Sequence, residues 1–327
     1  MPGMLERRAA SFLVAASLIA ATGAPALAVD KVSLRLDYVI GALHAPIFLA
    51  RDKGFFAKEG IEVEIMPGQG STVTVKLVGN GSTDFGYAAA DQVLLAYAKG
   101  LPVMTTAVIL QKNPVAMIFP TASGIKSLTD LYGKTIGVPM LSVGEKQWRA
   151  VERINNIDDS KIKQVAVDRN IAALIEAGKI DASVAFFFVD GLQPVAHGMP
   201  MSWILFADVG LPIYSTSLLV NGDLASKNPD LVRRFTRAFV AGWVYSIDHQ
   251  DEALQNFLKN YPTSDVKYAT MQLPEVLKIT KTPDTIKNGI GHSTMESWEA
   301  MQKELLDMGI METAVDLRRV FTNDFLK

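Results

Sequence analysis

The chain of 327 residues contains no cysteine. That excludes disulfide staples, thiolate-bound zinc, iron–sulfur clusters and a cysteine nucleophile, so the fold must rest on its apolar core. Histidine is scarce at four residues. No His-x-x-x-His pair, Ser-His-Asp order or G-x-G-x-x-G run supplies a metalloenzyme, hydrolase or dinucleotide signature. An excess of one charge is lacking too: 32 basic residues stand against 34 acidic ones, without a Lys/Arg run. This argues against a nucleic-acid or anionic-membrane partner. No apolar stretch reaches the roughly 20 residues that a membrane-spanning helix needs. Low-complexity tracts and a solenoid period are likewise missing.

What is present is ordinary globular composition, 49% hydrophobic and 20% charged, with enough chain for two cores. The first 28 residues stand apart. Arg7 and Arg8 precede the apolar run Phe12 to Ala21, Thr22 to Pro25 breaks the pattern, and Ala26-Leu27-Ala28 offers an A-x-A site. This reads as a secretory signal peptide over residues 1–28, cleaved after Ala28. The arginine pair leaves a twin-arginine route open beside the general one. No cysteine follows to carry a lipid, so the mature chain is expected free in a periplasm.

The remainder alternates strand and helix patterns. Val32 to Asp37 and Ile61 to Met66 alternate apolar and polar residues as strands do. Ala45 to Lys53, Thr72 to Val78 behind a Ser71 cap, and Asp91 to Lys99 read as helices, with strands at Phe85 to Tyr87 and Val103 to Leu110. The rhythm restarts with a short helix capped by Ser127, a strand over Thr135 to Val138 and a helix over Glu145 to Ile154. It runs on through Ile162 to Val167, Ile171 to Ala177, Ala182 to Phe188, Gly191 to His197 and Ser202 to Phe206. Two α/β units in series imply two lobes, each with a mostly parallel sheet. Beyond Pro229 the pattern is helical. Leu231, Phe235, Phe239 and Trp243 fall four apart on one stripe, and helices are expected at Asp251 to Asn260, Pro274 to Thr280 and Thr294 to Met308.

Four stretches carry a family resemblance. They are Lys53-Gly54-Phe55-Phe56 with Lys58 to Val63, then Gly81 to Tyr87, Leu131 to Pro139 and Ala173 to Ala182. In this order, behind a leader, they resemble the solute-binding proteins of ABC importers for thiamine-pyrimidine precursors, alkanesulfonates, taurine and nitrate. Leu36-Asp37-Tyr38 followed by His44-Ala45-Pro46 is most similar to the pyrimidine branch, whose pattern is Leu-Asp-Trp and then His. The resemblance implies a type II periplasmic-binding-protein fold, two α/β lobes joined by two crossing strands. Those crossings are placed near Val115 to Pro120 and Ile213 to Val220. Lobe one would comprise residues 29–119 and 217–327, and lobe two residues 120–216. It also implies a monomer that clamps a small molecule, catalyses nothing, needs no cofactor and delivers its cargo to an inner-membrane permease. A receptor-coupled sensor would use the same clamp. Fungal relatives of the fold that make the thiamine pyrimidine carry a cysteine-rich motif, which this chain cannot supply.

Ligands of open parallel sheets sit beyond the carboxyl ends of the strands. In lobe one that selects Asp37, Tyr38 and His44, then Gln69, Gly70 and Ser71, then Ala90 and Asp91. From lobe two it selects Ser142, Gly144 and Glu145 at a helix start, with Phe187, Phe188 and Asp190 at a strand end, and Tyr214 at the return crossing. Each has a plainer alternative. Asp91 and Glu145 could only favour their helix N-termini, an effect of about 0.3–1 kcal/mol. His44 could be a loop histidine, Tyr38 could be core, and of Phe187 and Phe188, on opposite faces of a strand, at most one could stack on a ligand. His197, His249 and His292 read as surface or capping residues. Aromatic rings with carboxylates suit a flat, amine- or amide-bearing heterocycle. A sulfonate or nitrate would use the glycine-serine loop and Ser142.

Overall fold

The computed structural model describes residues 29–139, 143–168 and 170–327. The leader expected over residues 1–28 and Ser142 lie outside the described residues. The first unit contains β1 (Asp30–Arg35), α1 (Ala45–Asp52), α2 (Phe55–Lys58), β2 (Ile61–Met66), α3 (Ser71–Gly79), β3 (Phe85–Ala89), α4 (Ala90–Ala98) and β4 (Val103–Val108). The second contains β5 (Val115–Pro120), β6 (Thr135–Val138), α5 (Val143–Ile154), β7 (Lys163–Ala166), α6 (Ile171–Glu176), β8 (Ala182–Phe186), α7 (Leu192–His197) and β9 (Met201–Leu205). After β10 (Thr216–Asn221) come α8 (Gly222–Lys227), α9 (Pro229–Asp248), α10 (Gln250–Asn260), α11 (Val266–Lys278), α12 (Pro283–Asn288) and α13 (Met295–Asp307).

Two sheets of one plan result, in the orders β2-β1-β3-β10-β4 and β7-β6-β8-β5-β9. In each, three strands pair in parallel and a strand next to a crossing inserts antiparallel between two others. That strand is β10 in the first sheet and β5 in the second. The first crossing therefore lies earlier than its expected place near Val115 to Pro120. The apolar run from Val115 to Phe119 is buried and its backbone is satisfied on both sides, by β8 and by β9. The chain instead changes sheet over residues 109–114, and returns over 206–215. The two passages are bonded to each other: Ser215 N–H donates to Leu110 O, and Ile109 and Leu110 N–H both donate to Thr216 O, each at 3.0 Å.

The predicted stripe on α9 is buried throughout. Phe235 stacks on Phe85 of β3 with centroids 3.7 Å apart, and Trp243 packs against Tyr87. Gly242 brings α9 hard against α1, because a methyl there would meet Ala50 Cβ at 2.5 Å and Pro46 O at 2.6 Å. This packing fixes the start of α1, and with it His44.

Three local expectations need correction. Gly70, not Ser71, is the N-cap of α3; Ser71 is the first helical residue, and its hydroxyl accepts from Ala89 N–H at 3.1 Å. The strand expected over Ala182 to Phe188 stops at Phe186, and Phe187 to Gly191 form a π-helical turn that buries both Phe187 and Phe188. The helix expected from Pro274 begins eight residues earlier, at Val266 behind Asp265, whose carboxylate accepts from Tyr268 N–H. Pro274 is thus interior to α11, where it gives up a backbone donor.

Candidate ligand cleft

In lobe one the loops after β1 and β2 are bonded together. Gly68 N–H donates to Tyr38 O and Gly70 N–H to Asp37 O, both at 2.8 Å, while the Thr74 hydroxyl donates to Leu36 O at 2.6 Å. Only glycine fits at position 68: an added Cβ would lie 2.0 Å from Leu36 O. Above this seam the Asp37 carboxylate meets His44. Nδ1 of His44 accepts from Gly41 N–H at 3.3 Å, which assigns the ring proton to Nε2, 2.9 Å from Asp37 Oδ1. His44 is wholly buried, edge-on to Tyr87. The Tyr87 hydroxyl lies in the same interior, toward Thr216. Burial holds its pKa well above the usual range, and the charge of Asp37 adds to the effect.

Tyr38 is 52% exposed and so belongs to the surface rather than the core. Gln69 is exposed on the neighbouring loop, with Val73 on the first turn of α3. At the end of β3, Ala90 is buried and its N–H donates to Ser215 O at 2.8 Å, fastening α4 to the return crossing. Asp91 is only 5% exposed. Burial raises its pKa, opposed by the side chain and backbone of Gln92, which donate to its two oxygens.

From lobe two, Gly144 and Glu145 lie half-buried on the first turn of α5. Asp190 lies in the π-helical turn, and burial lifts its pKa from 3.8 to about 6. Neither Asp91 nor Asp190 is in an ion pair among the described residues; Asp37 pairs with His44. Phe186 is 48% exposed at the carboxyl end of β8, whereas Phe187 and Phe188 pack inward beside it. Phe186 was not among the expected site residues. Nothing in the run Phe186-Phe187-Phe188 marks where the strand ends, and only the turn geometry separates an outward ring from two inward ones. Tyr214 is buried edge-on against Trp298, and its hydroxyl accepts from Thr294 N–H at 3.1 Å. It fastens α13 to the return crossing. The other histidines are engaged at the periphery: His197 with Glu176, His249 with Tyr245, and His292 with Asp284.

A family model described as NMT1/THI5 like matches residues 42–253. Among curated relatives, a riboflavin-binding protein of Chloroflexus aurantiacus is 26% identical over 304 residues, 91% of this chain and 86% of that protein. A formylaminopyrimidine-binding protein of Halalkalibacterium halodurans is 26% identical over 83% of each chain. A 4-amino-5-hydroxymethyl-2-methylpyrimidine phosphate synthase of Legionella pneumophila is 26% identical over 91% of this chain and 92% of that one. The fold matches the periplasmic aliphatic sulphonate binding protein SsuA of Escherichia coli with a TM-score of 0.70 at 14% identity, covering 91% of this chain and 99% of that one. The architecture is thus the two-lobed periplasmic-binding-protein fold.

Proposed function

The chain belongs to the NMT1/THI5-like family, and from that premise we propose that it is an extracytoplasmic solute-binding subunit of an ABC importer, taking a flat, nitrogen-bearing heterocycle of pyrimidine type between its lobes. Ligand meets one lobe, the other closes onto it, and the closed form is favoured because only there does the ligand contact both. A permease in the inner membrane would then receive the cargo. The observation that carries this reading is the chemistry at the strand ends. Tyr38 and Phe186 present exposed rings from opposite lobes, Asp37 adjoins Tyr38 and is held by His44, and Asp91 and Asp190 are in no ion pair among the described residues. Rings stack on a flat heterocycle, and carboxylates accept from its N–H groups. Relatives named for riboflavin and formylaminopyrimidine point the same way.

A small anion is the second reading, favoured by the helix N-terminus at Gly70, which has no side-chain cap. The carboxylates oppose it. We read the chain as a binder rather than a synthase, although some family members are named as synthases. The test is native mass spectrometry of the purified protein, followed by a thermal-shift panel of riboflavin, formylaminopyrimidine, an alkanesulfonate and nitrate. A heterocycle present at 100 times its dissociation constant is expected to add about 2.7 kcal/mol of stability. Stabilisation by the sulfonate or nitrate alone would overturn the heterocycle reading, and turnover of a bound pyrimidine would overturn the binder reading.

A further inference from the structure

Helix α11 touches both halves of the molecule. At its carboxyl end Ile279 O accepts from Gln111 N–H at 3.0 Å, so the helix is anchored where the chain first changes sheet. Toward lobe two, three of its side chains bond main-chain carbonyls. The Tyr268 hydroxyl is 3.1 Å from Phe188 O and 3.3 Å from Val189 O, Gln272 Nε2 is 3.0 Å from Phe188 O, and the Lys267 ammonium donates to Ala196 O. Toward lobe one, Leu43 N–H donates to Gln272 Oε1 at 3.2 Å. Gln272 is 2% exposed, and its nitrogen also lies 2.8 Å from the Tyr268 hydroxyl.

Leu43 immediately precedes His44, and Phe188 lies two residues before Asp190. One buried carboxamide therefore has its oxygen on the segment that places Asp37 through His44, and its nitrogen on the turn that places Asp190. An amide suits the task because it accepts at one end and donates at the other. Burial keeps water from replacing either bond, so each end left unpaired carries its full desolvation cost.

We infer that Gln272 is a positioning residue of the cleft, holding the Gly41–His44 segment in register with the Phe187–Gly191 turn before any ligand arrives. α11 is bonded to lobe one through Leu43 and Gln111 and to lobe two through Tyr268, Gln272 and Lys267. Opening the clamp therefore parts the two bonds of Gln272 from each other, Leu43 staying with lobe one and Phe188 moving with lobe two. This motion rests on the clamp proposed above; the preset register does not.

The test uses full-length protein without ligand, comparing Gln272→Met and Gln272→Glu by amide hydrogen exchange and small-angle scattering. Gln272→Met removes both ends, so exchange in the peptide from Gly41 to Leu49 is expected to accelerate about tenfold relative to β2, with expansion of the particle. Gln272→Glu keeps an acceptor for Leu43 N–H but sets a carboxylate against Phe188 O. Exchange near Leu43 then stays within about threefold of wild type while the particle expands. Tyr268→Phe, which keeps the ring and loses the bonds to Phe188 O and Val189 O, reads the same contact if Gln272→Met fails to fold; it too is expected to expand the particle. Unchanged exchange and scattering in every folded variant would overturn the inference. So would acceleration that is uniform across α11, β2 and α13, since that describes a merely structural residue. If the split between Met and Glu appears but no solute binds, the importer reading fails and the role of Gln272 stands.

Discussion

His44 Nε2 lies 2.9 Å from Asp37 Oδ1, with the histidine sealed in the core and the aspartate partly exposed. The imidazole thus acts as a fixed donor that aims a carboxylate. The two partners should respond differently to substitution. His44→Ala empties a buried site and leaves Asp37 without its donor, so a loss of about 2–4 kcal/mol is expected in urea unfolding. Asp37→Asn keeps an oxygen for Nε2–H and should cost under about 1 kcal/mol in stability. Its effect belongs to the ligand, where removing the charge is expected to weaken binding about tenfold or more. Calorimetry and unfolding on both variants separate the roles; equal stability losses would mean that Asp37 is structural.

The exposed rings give the reverse pattern. Tyr38→Ala and Phe186→Ala remove side chains that are about half exposed, so unfolding free energies should move by less than about 1 kcal/mol. Stacked aromatic contacts are worth about 0.5–1.5 kcal/mol beyond the area they bury, so each substitution should weaken a heterocyclic ligand roughly tenfold. Fluorescence titration of each variant checks this. If Phe187→Ala weakens the ligand more than Phe186→Ala does at equal stability, the outward ring has been misassigned.

Much of this architecture is legible in the chain because local patterns and tertiary packing agree. The alternation of Ile61 to Met66 and the stripe from Leu231 to Trp243 become the elements they encode. The crossing is harder, since a buried apolar run such as Val115 to Phe119 reads alike as a bridge or an interior strand. Pro274 looks like a helix start because proline favours first turns, yet here packing on both sides outweighs its missing donor. Gln272 was illegible for the same reason: its role depends on a helix whose interior a proline disfavours. The strand-end rule selects loops but cannot say which of their side chains are exposed, as Phe186 and Tyr38 are and Phe187, Phe188 and Tyr214 are not.

Gly68 offers a sharp test of the seam beneath the site. Gly68→Ala drives a methyl into Leu36 O and the Asp37 backbone, so the loop must move and the bond to Tyr38 O is lost. A cost of about 3 kcal/mol is expected in chemical denaturation, together with weakened ligand binding. Gly70→Ala is the control. No atom lies within 4 Å of its added methyl, and only its φ of +110° is penalised, at about 1–3 kcal/mol. Its effect should fall on stability more than on the placement of Tyr38. A Gly68→Ala protein as stable as wild type would show that the two loops are not locked together.

Asp190 ties the cleft to pH. Its pKa is raised by burial from 3.8 to about 6, so the folded chain holds this proton where the unfolded chain has released it. The associated stability is present in full below about pH 4 and is lost as pH rises through about 6, with a difference of about 3 kcal/mol. Asp190→Asn cannot ionise, so it should match wild type near pH 4 and exceed it by about 1–3 kcal/mol at pH 8. Asp91, also raised by burial, contributes with the same sign and remains in the variant, so the comparison isolates Asp190. If the ionised Asp190 accepts from a ligand N–H, wild-type affinity should rise through pH 6, and the stabilised variant should bind less tightly with a flatter pH profile. Urea unfolding at the two pH values and titration across pH 5 to 8 decide both points. A stability gain equal at both pH values would show that burial does not hold the proton on Asp190.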